Sequence, residues 1–518
     1  MKGVGMFQHE KSAPWYSSPI AIIVASILLP PVGLILIWLN KGPVLRKVGA
    51  SLAVVLIVIG YVWAFGMWQQ WAQNDQHYTQ LEQHRQQQAA EPPAATAPAT
   101  AATPVPQASV AASPAADGTA TASAPAGSSR NYWTNYRGPK RDGRYDETPI
   151  STSWPQSGFT ALWKQPVGLG FASFAIAEGK AFTIEQRRGQ EVVAAYDVAT
   201  GRELWKQAWA AEYNDSNGDG PRSTPAWDNG RLYALGATGE LRCLDANTGA
   251  VVWGKNILSE NQASNLQWAQ AASPLVVDDK VIVLPGGGGG KSVVAYNKMT
   301  GAPVWKALDD RQAYVSPMLV ELGGRRQIMV VSSQRVVGLT PENGSLLWSY
   351  PWDTDMGINV SQPVVVDRNR FFISSGYGKG AALVELKPSG NNFTPATIWE
   401  NTNMKNKFNS SVLHNGYIYG LDEGILACLD VNTGERKWKG GRYGYGQIIL
   451  ASGHLIVTDG LTGDVALVKA SPDQFTEVAR FSAVKGQTWN YPALAGGRLL
   501  VRNSNEMAAY DISRKEAQ

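Results

Sequence analysis

A short phrase recurs from Trp163 onward and leaves few folds open to the chain. A β-rich run ends in an acidic or polar residue, Thr-Gly or Asn-Gly follows, and a Trp stands four residues after the Gly. Asp197-Val198-Ala199-Thr200-Gly201 leads to Trp205, and Asp245-Ala246-Asn247-Thr248-Gly249 leads to Trp253. Asn297 and Thr300-Gly301 lead to Trp305, Asn343-Gly344 to Trp348, and Asp430 and Thr433-Gly434 to Trp438, while Trp399 ends a looser copy. The parts are local chemistry: Asp or Asn caps a turn, Gly supplies positive φ, and the flanking β-branched and aromatic residues make a hairpin. Successive Trp residues stand roughly 40 to 50 residues apart, the size of a four-stranded propeller blade.

Inner strands recur as well, at Ser223-Thr224-Pro225, Ser273-Pro274, Ser316-Pro317 and Ser410-Ser411. The count is eight blades over residues 131–515, an all-β eight-bladed propeller. Ala161-Leu162-Trp163-Lys164 precedes the first complete blade and matches an outermost strand, whereas the last repeat, through Tyr510 and Asp511, lacks one. The first is expected to complete the last and remove the free edges.

With its Ala195-to-Trp205 phrase, the chain resembles the PQQ-type, or quinoprotein-like, β-propeller repeat family. The lead-in Trp133, Tyr136-Arg137-Gly138-Pro139 and Arg141-Asp142-Gly143 is similar to the start of many bacterial members. The resemblance implies the fold, whereas for function the family offers quinone dehydrogenases, assembly scaffolds and members without assigned activity. Alcohol dehydrogenases of the family carry adjacent cysteines that form a vicinal disulfide beside the quinone. This chain has two cysteines, Cys243 and Cys428, at matching positions of repeats four blades apart, which read as buried strand residues. The membrane-bound glucose dehydrogenase type lacks that disulfide and keeps an enzyme reading open. Its PQQ and Ca²⁺ would need Glu, Asn and Asp ligands with cations over a carboxylated ring, and spacing alone picks no such set.

Other motifs resolve into plainer readings. Pro285 to Ser292 mimics a phosphate loop, but Pro285 stands where the first Gly belongs and a strand follows instead of a helix. Asp215, Asn217 and Asp219 form the first half of a calcium loop, a weak Ca²⁺ candidate, with Ala226 where the bidentate Glu belongs. His414 and His454 are the only propeller histidines and lack metal-ligand spacing. What remains is the ring of residues just before each inner strand, which a propeller displays around the mouth of its channel. These are Phe171, Arg222, Trp268, Gln270, Tyr314, Asn359, Asn409, Gln447, Trp489 and Tyr491, with Lys379 and Lys405 on neighbouring loops. Aromatics, amides and an Arg converging on a funnel suit a small polar ligand, a sugar chain or a peptide.

Ahead of the propeller, after a polar start at 1–18, two charge-free apolar segments at 19–39 and 48–68 are each long enough to span a bilayer. Trp15, Tyr16, Trp38, Trp63 and Trp68 stand where interfacial aromatics belong. The connector carries Lys41, Arg46 and Lys47 without an acid, so the positive-inside rule places it in the cytoplasm and everything after the second segment in the periplasm of an inner membrane. Pro30 and Pro31 interrupt the first segment, which is read either as a kinked span or as a re-entrant half-span. No Cys follows an N-terminal apolar stretch, so the expected anchor is protein and not lipid. A Gln-rich stretch at 69–91 reads as a frayed helix. The Ala/Pro/Thr-rich stretch at 92–130 reads as a tether, reaching on the order of 100 Å fully stretched.

With 46 basic against 42 acidic residues, the net charge of +4 does not indicate nucleic-acid binding. The leading expectation is a membrane-tethered periplasmic propeller that binds an envelope protein or polymer without catalysis and without a cofactor. The alternative is a PQQ-dependent oxidoreductase.

Overall fold

The computed structural model describes residues 18–90 and 133–514. Trp15, Tyr16 and the expected tether at 92–130 lie outside the described residues. The chain divides into two compact units, Met1–Thr79 and Gln80–Gln518.

In the first unit the first apolar segment is two helices, Pro19–Leu28 and Pro30–Leu39, broken at Leu29. They fold back on one another, so closely at Gly33 that a Cβ there would meet the backbone of Ser26 at 2.4 Å. Ten residues of helix rise about 15 Å, half a hydrocarbon core, so the hairpin has the dimensions of the re-entrant alternative. The following helix, Val44–Ala90, is the one among the described residues that is long and apolar enough to cross a membrane. Lys47 bonds the carbonyl of Trp38 at 3.0 Å, tying connector to hairpin.

The second unit carries eight sheets in a ring. Blades 1 to 8 begin with the innermost strands Ala175–Ala177, Ala226–Asp228, Leu275–Val277, Met318–Leu322, Val364–Val365, Val412–His414, Gln447–Ala451 and Ala493–Ala495. Strand Ala161–Pro166 pairs antiparallel with Glu506–Asp511, Trp163 opposite Ala509, and so completes blade 8 as expected.

The repeat phrase joins neighbouring blades. Trp163, Trp205, Trp253, Trp305 and Trp399 each donate their indole N–H to a carbonyl in the next blade's turn, at Val198, Ala246, Lys298, Pro341 and Val431, over 2.9–3.1 Å. Each ring lies against the glycine of that turn: a Cβ on Gly201 or Gly249 would stand 2.6 or 2.5 Å from Trp163 or Trp205. Gly is required there twice, for its φ near +74° and for the space the incoming ring takes. Trp348 departs from the pattern because blade 5 turns without the phrase, and its N–H goes to Gln327 at 2.5 Å instead.

A second circuit runs around the channel. The N–H groups of Ser173, Thr224, Ser273, Ser316, Gln362 and Ser410 donate in turn to side-chain oxygens of Thr224, Ser273, Ser316, Gln362, Ser410 and Tyr491 at 2.6–3.0 Å. Ser173 Oγ donates to the Tyr491 carbonyl at 2.6 Å and closes the loop. Thr224, Ser273 and Ser316 are the Thr-Pro and Ser-Pro positions of the inner strands; Gln362 takes part through its amide oxygen, and the bond from Ser410 of blade 6 to Tyr491 of blade 8 passes over blade 7.

The lead-in segment enters the channel. Trp133 exchanges two 2.8 Å backbone bonds with Ile176 of blade 1, and Trp227 of blade 2 donates to the Thr134 carbonyl at 2.9 Å. Arg141 bonds the carbonyls of Ser273, Pro274 and Pro317 in blades 3 and 4. Arg137 and Arg144 reach the carbonyls of Ser411 and Leu413 in blade 6 at 2.9 and 2.8 Å. Arg144–Tyr145 pairs parallel with Gln447–Ala451 of blade 7, and Tyr145 Oη accepts from Gly497 N of blade 8. Seven of the eight blades are thus stitched to one plug.

The helix Val44–Ala90 runs unbroken through the Gln-rich stretch read as frayed, because its final turns have partners in the second unit. On the closure strand, Gln165 Oε1 meets His84 Nε2 at 2.8 Å, Arg85 Nη1 at 3.1 Å and Gln88 Nε2 at 2.7 Å. Arg85 also pairs with Glu203 at 3.3 Å and covers the Tyr196 ring, and Arg188 pairs with Glu82.

Candidate functional site

The residues expected at the channel mouth separate into two layers. Phe171, Arg222, Trp268, Tyr314 and Trp489 are half-buried at the mouth, whereas Gln270, Asn359, Asn409, Gln447 and Tyr491 are buried beneath it. The buried group is occupied with blade packing. Gln270 donates to Asn265 Oδ1, Asn359 to the carbonyls of Ser332 and Trp352, and Gln447 to those of Phe408 and Trp489. Asn409 accepts from Asn406, and Tyr491 Oη accepts from Ser410 N within the channel circuit.

The exposed layer is larger than the spacing suggested. Phe171 stacks on Trp489 at 5.6 Å, Trp489 meets Phe408 at 5.2 Å and Tyr445 at 6.1 Å, and Phe408 meets Tyr445 at 4.9 Å. Arg222 lies over Phe171 and Tyr213, and Lys407 over Tyr377, Phe408 and Tyr445. Trp268 and Tyr314 are 5.8 Å apart. Burial, reinforced by Tyr314 and Tyr445, pushes the Tyr377 hydroxyl up to about 12. Lys407, Phe408 and Tyr445 were missed because they stand one or two residues off the position just before the inner strand, and Tyr213 and Tyr377 because they lie on other loops, after Glu203–Ala210 and between Arg370–Ser375 and Gly380–Ser389. Of the two expected lysines, Lys379 covers Trp352 and pairs with Glu400, and Lys405 pairs with Glu423 at 3.1 Å.

The floor of this cup is the plug. Tyr136 packs edge-on against Tyr491 at 5.1 Å, and Arg137 lies over the same ring. Arg137 and Arg141 are fully buried among carbonyls, and burial draws Arg141 down to about 9, still charged at neutral pH.

At the calcium-loop candidate, Asp215 Oδ1 accepts from Asn217 N at 2.8 Å and Asp219 Oδ1 from Asp215 N at 3.0 Å. The loop carbonyls of Gly218 and Gly220 accept from Arg222, so a guanidinium stands where a bound cation would draw oxygens. In the phosphate-loop mimic the Asp309 carboxylate takes the Gly290 N–H at 2.5 Å, which opposes an anion there. Cys243 and Cys428 are free and buried, and burial raises both thiols, to about 12 for Cys428.

The profile of the family described as outer membrane protein assembly factor BamB matches residues 189–440. A curated relative, outer membrane protein assembly factor BamB of Shewanella oneidensis, is 30% identical over 178 residues, covering 31% of this chain and 40% of the relative. The chain therefore spans well under half the length of that relative in the match. Among solved structures, the quinohemoprotein alcohol dehydrogenase of Comamonas testosteroni superposes with a TM-score of 0.52 at 12% identity, over 75% of this chain and 81% of that one. A quinohemoprotein alcohol dehydrogenase of Pseudomonas putida HK5 gives 0.52 at 13% identity over the same shares. At these identities the likeness establishes architecture. The recurring Gly–Trp phrase, the eight-blade ring closed by its first strand and the profile match over 189–440 agree with the resemblance to the PQQ-type, or quinoprotein-like, β-propeller repeat family.

Proposed function

We propose that the protein is a membrane-anchored periplasmic propeller that serves as a non-catalytic binding or assembly scaffold for an envelope partner. The observation that carries this reading is the cup itself. Its rim is rings with Arg222 and Lys407, its floor is a plug bearing buried Arg137 and Arg141, and none of these side chains is a carboxylate. Calcium-held PQQ needs a hard oxygen ligand set. Here the nearby Asp215 and Asp219 are spent on their own loop, and four guanidinium or ammonium groups disfavour a divalent cation. The residues therefore do not fit the Ca²⁺–PQQ pair. A relative named as an outer membrane protein assembly factor supports the assembly role. The basic connector at Lys41, Arg46 and Lys47 supports insertion in the inner membrane with the propeller outside the cytoplasm.

The test uses the full chain in detergent, titrated with PQQ and Ca²⁺ while absorbance and dye reduction with alcohols and sugars are followed. No saturable binding and no dye reduction is the expected result, with photo-crosslinking from position 268 in cells capturing an envelope component. Saturable PQQ binding with substrate-dependent dye bleaching would make the protein an oxidoreductase.

A further inference from the structure

We infer that the blade 5–6 side of the cup receives an extended acidic peptide, anchored by Lys407. The inference rests on the scaffold reading above and names the chemistry of its partner. Lys407 Nζ stands 5.2, 5.6 and 5.0 Å from the ring centres of Tyr377, Phe408 and Tyr445, and donates to Tyr445 Oη at 3.3 Å. Among the described residues it has no acidic partner within ion-pair distance. An ammonium has three donors, so this one keeps unspent hydrogen-bonding capacity and an uncompensated charge inside an aromatic cage.

The surroundings carry the same sign. Lys405, Arg436 and Lys439 converge on the single buried carboxylate of Asp422, at 3.8, 3.8 and 2.5 Å. Glu423 answers Lys405, and exposed Arg442 has no acidic partner among the described residues. Blade 6 and its lead-in thus carry these five basic side chains beside two acids, Asp422 and Glu423. On the opposite side Arg222 is already engaged with the Gly218 and Gly220 carbonyls beside Asp215 and Asp219. The positive field of the mouth is therefore one-sided and favours an anion at Lys407.

The ring geometry selects a peptide over an anionic sugar chain. Tyr445 meets Phe408 and Trp489 at 65° and 75°, presenting edges and slots, while Phe171 is already stacked on Trp489 and covered by Arg222. Sugars stack on open ring faces, whereas slots between tilted rings take side chains. Directly below, Gln447 hydrogen-bonds the Phe408 and Trp489 carbonyls through its N–H₂ and leaves Oε1 unpartnered, as are Asn409 Nδ2 and Trp489 Nε1. Gln447 and Asn409 are each 1% exposed. These leftover amide groups add unspent polar capacity to the layer beneath the cage.

The experiment is fluorescence anisotropy on the full chain in detergent, with a fluorescein-labelled peptide of alternating Glu and Tyr as probe. A Lys/Tyr peptide of equal length and an oligogalacturonate serve as competitors. Expected are saturable binding that weakens with salt, about tenfold weaker binding for Lys407→Gln, and recovery with Lys407→Arg. Preference for the oligogalacturonate, equal binding of the basic peptide, or a Lys407→Gln protein that binds as tightly as the parent overturns the inference. If the acidic peptide fails while PQQ also gives no dye reduction, this inference falls and the scaffold reading stands. If PQQ supports turnover, the scaffold reading itself falls.

Discussion

Arg141 of the plug donates through Nη1 to the carbonyl of Pro317 over 2.9 Å, and the same guanidinium holds Ser273 and Pro274 in the neighbouring blade. One cation from the lead-in segment therefore joins two blades that the chain reaches more than a hundred residues later. Removing it strands three buried carbonyls. Arg141→Met is expected to destabilise the propeller by about 3–5 kcal/mol, because each unmet carbonyl keeps its desolvation cost. Lys at the same place recovers only part of that, since an ammonium lacks the planar fork. Thermal melts with hydrogen exchange on residues 133–145 would check both, and full exchange protection in Arg141→Met would sink the idea.

Glu185 sets an acid limit. Burial alone would raise its carboxyl, but the guanidiniums of Arg187, Arg502 and Arg85 overcome that and hold it at about 2. A folded pKa below the unfolded value of 4.5 contributes stability that is whole above pH 4.5 and lost as pH falls toward 2. The loss is expected to reach about 3 kcal/mol over that window. Glu185→Gln should lose a similar amount already at neutral pH, leaving Arg187 without one of its carboxylates, and should flatten this part of the acid profile. Chemical denaturation at stepped pH measures the slope for both proteins, and parallel slopes would count against Glu185.

The ring, its blade count and its closure were legible because Gly201, Gly249 and their counterparts must be glycine and Trp163, Trp205 and theirs must be large. Both requirements come from one contact repeated at a fixed chain distance. The mouth was legible only in part. Phe171, Arg222, Trp268, Tyr314 and Trp489 follow the position rule, but Asn359 and Gln447 obey it as well and are spent on blade packing. Position along the chain does not tell which way a side chain is drawn by its partners. Lys407 was hidden for the converse reason, since a rule tied to the inner strand passes over a residue two places earlier that is oriented by a ring of blade 5, a ring of its own loop and a ring ahead of blade 7. The plug left no periodic trace, because Arg137 and Arg141 each bond carbonyls brought close by folding alone.

The contact between Gln165 and Arg85 changes what the stretch after the second apolar segment does. A Gln oxygen that accepts from His84, Arg85 and Gln88 sits on the strand that closes the ring, so the helix end and the closure seam are stabilised together. Gln165→Leu is expected to release the helix end and weaken the seam by about 1–3 kcal/mol, through unmet donors at half-buried sites. Hydrogen exchange should then rise at 80–90 and at 161–166 in parallel. A rise at 80–90 alone would show that the seam does not depend on the helix.

The glycine of the repeat offers a comparison that separates its two roles. Gly230 has φ +77° with nothing within 4 Å of where a Cβ would stand, whereas Gly249 has φ +74° with the Trp205 ring 2.5 Å from that point. Ala at either position pays for left-handed backbone, about 1 kcal/mol. Ala at 249 must in addition displace an indole that is hydrogen-bonded to the Ala246 carbonyl at 3.1 Å, and overpacking of this kind costs about 1–3 kcal/mol more. Denaturant midpoints for the two variants should therefore differ by that increment. In a Trp205→Leu background the Gly249→Ala penalty should shrink toward that of Gly230→Ala, because the clashing ring is gone. If the Gly249→Ala penalty stays the same without Trp205, the glycine serves the turn alone, and docking of one blade on the next does not explain why the phrase ends in Trp.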